Sequence, residues 1–134
     1  VIAYAYLWRH EHNKGQEEGR KIRPSVVVLN ATNQKDGSIR VTVAAITHTP
    51  PGKDTVAVEL PPKVKAHLKL DDERSWVVLD EVNQFVWPGY DVRPVPGAEN
   101  KFAYGFVPPR LYDTLIKTLL AANSKGAVKV IPRD

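Results

Sequence analysis

The chain has 134 residues, of which 43% are hydrophobic and none is cysteine. This length and composition predict one compact domain, residues 1–134, with a core of its own. The lack of cysteine excludes a disulfide scaffold, a thiolate zinc site and a cysteine nucleophile, and it favours a cytoplasmic protein. The formal net charge of +4 fits a polyanionic partner and a solvated basic surface equally well. No apolar run approaches the roughly 18 residues of a membrane-spanning helix, so we expect no membrane association.

The first half of the chain alternates apolar segments with polar loops. An aromatic-rich segment over residues 2–9 predicts the first strand, and a charged, glycine-containing loop follows over 10–22. A loop of this length in a compact domain is either functional or disordered, and we interpret it as gating a site. The nearly continuous Val and Leu run at 25–31 predicts a second strand buried on both faces. Residues 39–47 alternate as a third strand.

The second half holds shorter elements and one convincing helix. Short strands are predicted over 55–60, 76–79 and 102–106, with helical turns over 64–68 and a polar-then-apolar segment over 80–87. Pro108-Pro109 opens a helix to about residue 123. Its i, i+4 rows are expected to pack on the sheet; they are Leu111, Leu115, Leu119 and Tyr112, Ile116, Leu120. Residues 124–134 form either a tail or a final edge strand.

These elements predict a mainly β fold. We expect a small barrel or paired sheet of strongly bent antiparallel strands, with the C-terminal helix packed on it.

The junction between the loop and the second strand is the strongest candidate for a functional site. Pro24 fixes its own φ and biases Arg23 toward extended geometry, so the Arg23 guanidinium is presented at the mouth of a buried strand. A planar cation with five donors suits a phosphate or a carboxylate. The alternative interpretation is that Arg23 pairs with Glu17 or Glu18 and only braces the loop.

A family resemblance rests on a few motifs in the first third of the chain. Trp8 in the first strand, Gly19 in the loop, Arg23-Pro24 and the segment 43–47 together resemble the MazF/PemK/Kid family of toxin endoribonucleases. The resemblance implies an SH3-like barrel that forms a homodimer and cleaves single-stranded RNA without a metal or other cofactor. The implied partner is an antitoxin whose acidic, disordered tail covers the RNA site.

The resemblance also implies roles for individual residues. Arg23 stands where the family keeps its catalytic Arg, and Thr47 stands where it keeps a Ser or Thr at the end of the third strand. In metal-free cleavage the 2′-hydroxyl attacks phosphorus, and the charge on the nonbridging oxygens needs preorganised donors such as Arg23. Since Arg stays protonated, the proton acceptor lies elsewhere, and His48, His10 and His12 are the candidates.

The remaining candidate residues are assigned to RNA binding. They are Glu17, Arg20, Lys21, Thr49, Asp80, Asn83, Gln84 and Trp87. The sequence departs from the family at Gln16-Glu17-Glu18, where a Glu-Gln pair is usual, and at Val78, where some relatives have Arg.

Other interpretations remain open at this stage. A barrel of this shape can also act as a growth inhibitor that binds a protein or an anion without cleaving RNA, as a topoisomerase poison would. His10 and His12 have the i, i+2 spacing of a metal pair, but no further ligand is indicated, so no metal is predicted. Asp80-Glu81 is either an acid/base pair or an ordinary strand end.

Overall fold

The computed structural model describes residues 1–8, 22–87, 89, 91–98 and 100–133. Seven strands and two helices occur in these ranges. The strands are β1 (Ile2–Ala5), β2 (Ile22–Thr32), β3 (Ile39–Thr47), β4 (Ala57–Glu59), β5 (Trp76–Val78), β6 (Glu81–Trp87) and β7 (Lys129–Pro132). The helices are α1 (Pro62–His67) and α2 (Pro109–Ser124). Among the residues described, no helix has the length and apolarity to cross a membrane.

β3 is the central strand of the sheet. It pairs with β2 along one edge, and its other edge is shared by β6 over residues 39–43 and by β5 over residues 46–47, all antiparallel. β1 continues the sheet beyond β2, β4 continues it beyond β5, and β7 adds a parallel pair to β6. Two strands thus divide one edge of β3, with β6 along its first five residues and β5 along its last two.

Apolar side chains cover both faces of the central strand. Ala44 and Ile46 face a cluster that includes Val26, Val28 and buried residues of both helices. Val41, Val43 and Ala45 face the opposite way, toward an aromatic cluster of Tyr4, Tyr6 and Phe85. The alternation predicted for the third strand is confirmed. Both faces are buried, which is what a strand at the centre of a sheet requires.

Helix α2 packs on the sheet through one of its two predicted rows. Its observed span is within about one residue of the predicted one, and Leu115 and Leu119 are buried. The second row is only partly buried, since Leu120 is 54% exposed. Tyr112 instead donates a hydrogen bond of 2.8 Å to the Val28 carbonyl, at the bulge where the β2–β3 register shifts.

The predicted mainly β fold with a C-terminal helix is confirmed, and among the described residues its pairings form an open path with a β3–β6–β7 branch rather than a closed barrel. One prediction of local structure is wrong. Residues 102–106 form a single bridge from Ala103 to Ile2 rather than a strand. Phe106 is 91% exposed, so its apolar character does not reflect burial. The final segment is an edge strand, the second of the predicted alternatives.

A buried polar cluster ties the C-terminal segment to the first strand. The Arg133 guanidinium donates to the Ala5 carbonyl at 2.9 Å and to Asn83 Oδ1 at 3.2 Å, and it pairs with Asp91 at 2.8 Å. The side chains of Arg133 and Asp91 are 2% and 11% exposed, so the pair is almost fully removed from water. Such a pair is costly to break, because one charge is then left buried alone.

We therefore predict that Arg133→Ala lowers the free energy of unfolding by about 3–5 kcal/mol, since Asp91 keeps its charge without its main counterion. Urea denaturation followed by circular dichroism measures this change. Lys129→Ala is the matched control, because Lys129 is an exposed cation on β7, the strand that Arg133 directly follows. A double variant that also carries Asp91→Ala should lose less than the sum of the two single variants, as expected for residues in contact. A small effect for Arg133→Ala, equal to that of Lys129→Ala, would contradict the prediction.

Candidate functional site

Arg23 lies near the start of β2, opposite Tyr4 of β1. Its guanidinium carbon is 5.4 Å from the centre of the Trp8 ring, which is within the range of a cation–π contact. Trp8 in turn meets Tyr6 edge to face, with 4.8 Å between the ring centres. Two aromatic rings from the segment that follows β1 therefore set where the Arg23 guanidinium points.

The β2–β3 register brings Arg23 and Thr47 to the same end of the sheet. The pairing of Ser25 with Ala45 is the last one recorded between the two strands in this direction. Two residues beyond this pair, β2 reaches Arg23 and β3 reaches Thr47. Residues opposite each other in an antiparallel pair have side chains on the same face, so this register favours a common site for the two.

Thr47 closes β3 and is nearly buried. Its hydroxyl oxygen accepts a hydrogen bond of 3.1 Å from the backbone N–H of Thr49. That bond fixes the hydroxyl while leaving its proton available for donation. Thr49 itself is exposed, and its backbone contributes to the turn after the strand.

His48 is held by the segment just before β5. Its Nδ1 lies 3.0 Å from the Arg74 carbonyl oxygen and 3.1 Å from the Ser75 hydroxyl, and its Nε2 lies 2.8 Å from Asp71 Oδ2 and 3.4 Å from Glu73 Oε2. These contacts follow from strand pairing. Thr47 is opposite Trp76 in the β3–β5 ladder, so His48, which directly follows β3, meets the residues that precede Trp76.

The Asp71 carboxylate is fixed from the other side by Lys65 of helix α1. Lys65 Nζ lies 2.7 Å from Asp71 Oδ1, and the Lys65 side chain is only 5% exposed. Lys65 also donates to the Glu73 carbonyl. The hydrogen bond from Lys65 lowers the pKa of Asp71 below its ordinary value, and the nearby His48 acts in the same direction. The 71–73 segment thus carries an ionised carboxylate in a defined orientation.

The structure gives the other predicted RNA-binding residues different surroundings. Asn83 is fully buried and bonds the backbone of Leu7, with Oδ1 accepting from its N–H and Nδ2 donating to its carbonyl, both at 2.9 Å. Asp80 accepts from the Val56 N–H at 3.3 Å, and Gln84 donates to Thr42 at 3.2 Å. Trp87 is 40% exposed at the end of β6.

Several predicted residues lie outside the described part of the chain. They are His10, His12, Glu17, Arg20 and Lys21, which belong to the predicted gating loop.

Trp87 borders a shallow groove of about 310 Å³ on the open face of the sheet. Apolar residues such as Val27, Ile39 and Val41 line it, together with Asn30 and Thr32. The ring of Trp87 lies 6.1 Å from that of Phe85, so one side of it packs on the aromatic cluster. Trp87, which the sequence analysis assigned to RNA binding, is therefore partly packed as well as partly exposed.

A buried Tyr6 beside Glu81 is a feature that the sequence analysis did not single out. Burial raises the pKa of the Tyr6 hydroxyl well above its ordinary value, and the charge of the neighbouring Glu81 adds to the effect. Tyr6 stays neutral as a result, and it supports the Trp8 ring on which Arg23 rests.

Sequence reasoning also missed the partners of His48. The run Asp71-Asp72-Glu73-Arg74 is typical of a solvated charged loop, and the pattern does not relate it to a histidine more than twenty positions earlier. The usable signal was the pairing of the third strand with the strand that begins at Trp76, because that register decides which residues flank His48.

Comparison with known proteins identifies the class. The family model described as PemK-like, MazF-like toxin of type II toxin-antitoxin system matches residues 6–86, more than half of the chain. The chain belongs to this family, which confirms the resemblance drawn from Trp8, Arg23-Pro24 and the end of the third strand. It is thus a toxin-antitoxin growth inhibitor with an antitoxin as partner. No curated protein and no solved structure gave a match.

The Lys65–Asp71 pair predicts a defined pH dependence of stability. Because the folded pKa of Asp71 is depressed, its contribution is present above the unfolded value of about 3.9 and is lost as the pH falls through the folded value. We expect Asp71→Asn to cost about 1–2 kcal/mol at neutral pH, a modest figure because the carboxylate is half exposed and screened by salt.

Urea denaturation between pH 7 and pH 2 checks this prediction. The difference between the native chain and Asp71→Asn should shrink as the pH falls below about 4 and disappear below the depressed folded pKa of Asp71, where both carry a neutral side chain at position 71. Asp72→Asn is the control, since it removes the same charge from the adjacent, exposed position. A difference that stays constant across the whole range would show that Asp71 does not act through its charge.

Proposed function

We propose that this protein is a metal-independent endoribonuclease that cleaves single-stranded RNA by attack of a 2′-hydroxyl on the adjacent phosphorus. The observation that carries the proposal is the position of Arg23 and Thr47 at neighbouring ends of β2 and β3, in a chain that belongs to the PemK-like and MazF-like toxins. Both are hydrogen-bond donors of the kind that the pentacoordinate transition state needs.

Arg23 is the residue that stabilises the transition state. Its guanidinium can donate two parallel hydrogen bonds to the nonbridging oxygens of the scissile phosphate and carries a permanent charge. The contact with Trp8 restricts the guanidinium before RNA arrives, so less orientational freedom is lost at the moment of reaction.

Thr47 supplies the second donor. Its hydroxyl oxygen already accepts from the Thr49 N–H, so the lowest-cost use of the hydroxyl proton is donation to an oxygen of the substrate. Position 47 also sits at the end of a strand that is buried on both faces, which limits the movement of the Thr47 side chain.

His48 is the proposed proton acceptor. Its imidazole is about half exposed, but both ring nitrogens contact the 71–75 segment. To take the proton of the 2′-hydroxyl, Nε2 has to turn away from Asp71 and Glu73. His10 and His12 of the predicted loop remain alternative acceptors.

RNA binding and partners complete the proposal. We propose that the RNA contacts Thr49, Asp80, Gln84 and Trp87, together with Glu17, Arg20 and Lys21 of the predicted loop. Asn83 acts indirectly by holding the segment that carries Trp8. We further propose a cytoplasmic homodimer, neutralised by an acidic antitoxin segment that pairs with the Arg23 guanidinium in place of the phosphate.

The direct test is incubation of the purified protein with a long single-stranded RNA in excess EDTA, followed by mapping of cut sites and end chemistry. We expect discrete cuts that leave 2′,3′-cyclic phosphate and 5′-hydroxyl ends. Arg23→Ala should lower the cleavage rate by roughly 10²–10³, the usual effect of removing one preorganised donor. Arg23→Lys should recover little, because an ammonium cannot reproduce the planar pair of donors.

Arg110→Ala is the matched control, since Arg110 is an exposed arginine on helix α2 and is not among the residues assigned to the site. Intact RNA with the native, folded protein would overturn the proposal and favour a growth inhibitor that binds a protein. Equal cleavage rates for Arg23→Ala and Arg110→Ala would remove Arg23 from the mechanism.

The Trp8 ring provides a second prediction about the same reaction. Trp8→Ala should lower kcat by about tenfold while changing KM little, because the ring orients Arg23 rather than binding the substrate by itself. Trp8→Phe should restore most of the rate, since it keeps an aromatic face under the guanidinium. A larger change in KM than in kcat would indicate that Trp8 stacks on an RNA base instead.

A further inference from the structure

Three side chains with metal-binding atoms converge beside the end of β3. His48, Asp71 and Glu73 each offer one ligand atom, and these atoms all lie within 4.8 Å of one another. The distances from His48 Nε2 to the two carboxylate oxygens are 2.8 Å and 3.4 Å. For comparison, ligands about 2.0–2.2 Å from a tetrahedral zinc ion are separated by about 3.4 Å.

The hydrogen bonds of the imidazole decide which nitrogen carries a proton. The Arg74 carbonyl, 3.0 Å from Nδ1, can only accept. The Ser75 hydroxyl, 3.1 Å from Nδ1, donates its own proton to the Glu73 carbonyl, so toward the ring it also accepts. Nδ1 is therefore the protonated nitrogen. This backbone-held tautomer is the arrangement by which proteins orient a histidine that binds a metal through Nε2.

Because Nδ1 carries the proton, Nε2 has no hydrogen to donate in the neutral ring. Its lone pair can only accept, and the two carboxylates that it faces are also acceptors. Such a cluster of acceptors requires a cation between them, which is either a second proton on the ring or a metal ion.

The surroundings favour a cation and hold the ligands in place. Lys65, buried on helix α1, donates a hydrogen bond to Asp71 Oδ1, and the other oxygen, Oδ2, contacts His48. Arg74 is fixed by two bonds to Glu59, of 2.9 Å and 2.8 Å, which positions the carbonyl that binds Nδ1. The adjacent cavity of about 190 Å³ is lined by four carboxylates and only two cations. Their net negative potential attracts a positive ion.

We propose that His48, Asp71 and Glu73 bind a divalent transition metal ion, for which Zn²⁺ is the best match. One imidazole and two carboxylates suit zinc, and three protein ligands leave further positions to water. The bound ion joins the end of β3 to the segment before β5, one residue from Thr47. This site shares His48 with the chemistry proposed for RNA cleavage, although that chemistry proceeds without a metal.

The test is calorimetric titration of the purified, metal-free protein with zinc chloride. We expect saturable binding of one ion per chain. Glu73→Gln should weaken the affinity by at least about tenfold, since loss of a ligand costs no less than loss of a group that orients one. His48→Gln should weaken it at least as much. Asp72→Asn is the matched control, because it removes one charge from the same segment without removing a ligand, and it should bind nearly as the native chain does.

Two results would overturn the proposal. The first is a native protein, folded by circular dichroism, that shows no saturable zinc binding; the cation between the acceptors is then the proton of an imidazolium. The second is binding that is equally strong in Glu73→Gln and in Asp72→Asn but is lost in a His10→Gln/His12→Gln variant, which would locate the ion in the loop. Both results are independent of the cleavage assay in EDTA, so this proposal and the proposed function succeed or fail separately.

Discussion

The rest of the structure depends on how the Asn83 side chain satisfies the backbone of Leu7. β1 ends at Ala5, yet the chain stays buried through Leu7, where unpaired backbone groups would cost free energy. Asn83 supplies the missing donor and acceptor, both at 2.9 Å, and Arg133 braces the same amide from the C-terminal segment. The Asn83 side chain on β6 thereby makes the two backbone hydrogen bonds that a neighbouring strand would otherwise make with Leu7. It fixes the course of the chain toward Trp8, and through Trp8 it fixes the orientation of Arg23.

This dependence explains why the last residues of the chain matter for a site formed near its beginning. β7 is a parallel edge strand of four residues and contributes little burial by itself. Its value lies in placing Arg133 where a positive charge meets Asp91, the Ala5 carbonyl and the Asn83 amide. A buried charge with several partners tolerates little displacement, because each lost contact leaves a buried polar group with neither a protein partner nor water to bond. The end of β1 is thus held from two sides.

Local patterns were sufficient to predict much of the fold. The alternation in β3 and the Pro-Pro start of α2 come from contacts within one element, and both predictions are confirmed. Closure of the sheet is a different kind of property. It depends on how β5 and β6 divide one edge of β3, which no periodicity in either segment expresses. The same holds for residues 102–106, where two phenylalanines suggested a strand, but the backbone finds its partners in β1 through one bridge.

The two candidate sites differ in how far the sequence could lead to them. Arg23 and Thr47 end adjacent antiparallel strands, so a motif and a register place them together. His48 meets Asp71 and Glu73 only because β5 pairs beside it, and that contact has no local signal. The two sites also compete for one atom. A metal ion on Nε2 occupies the lone pair that would accept the proton of the 2′-hydroxyl, whereas Arg23 and Thr47 keep their donors. Occupation of the cation site would therefore suppress proton transfer by His48 while leaving phosphate recognition by Arg23 and Thr47 intact. RNA binding and RNA cleavage would then depend on different residues at the same end of β3.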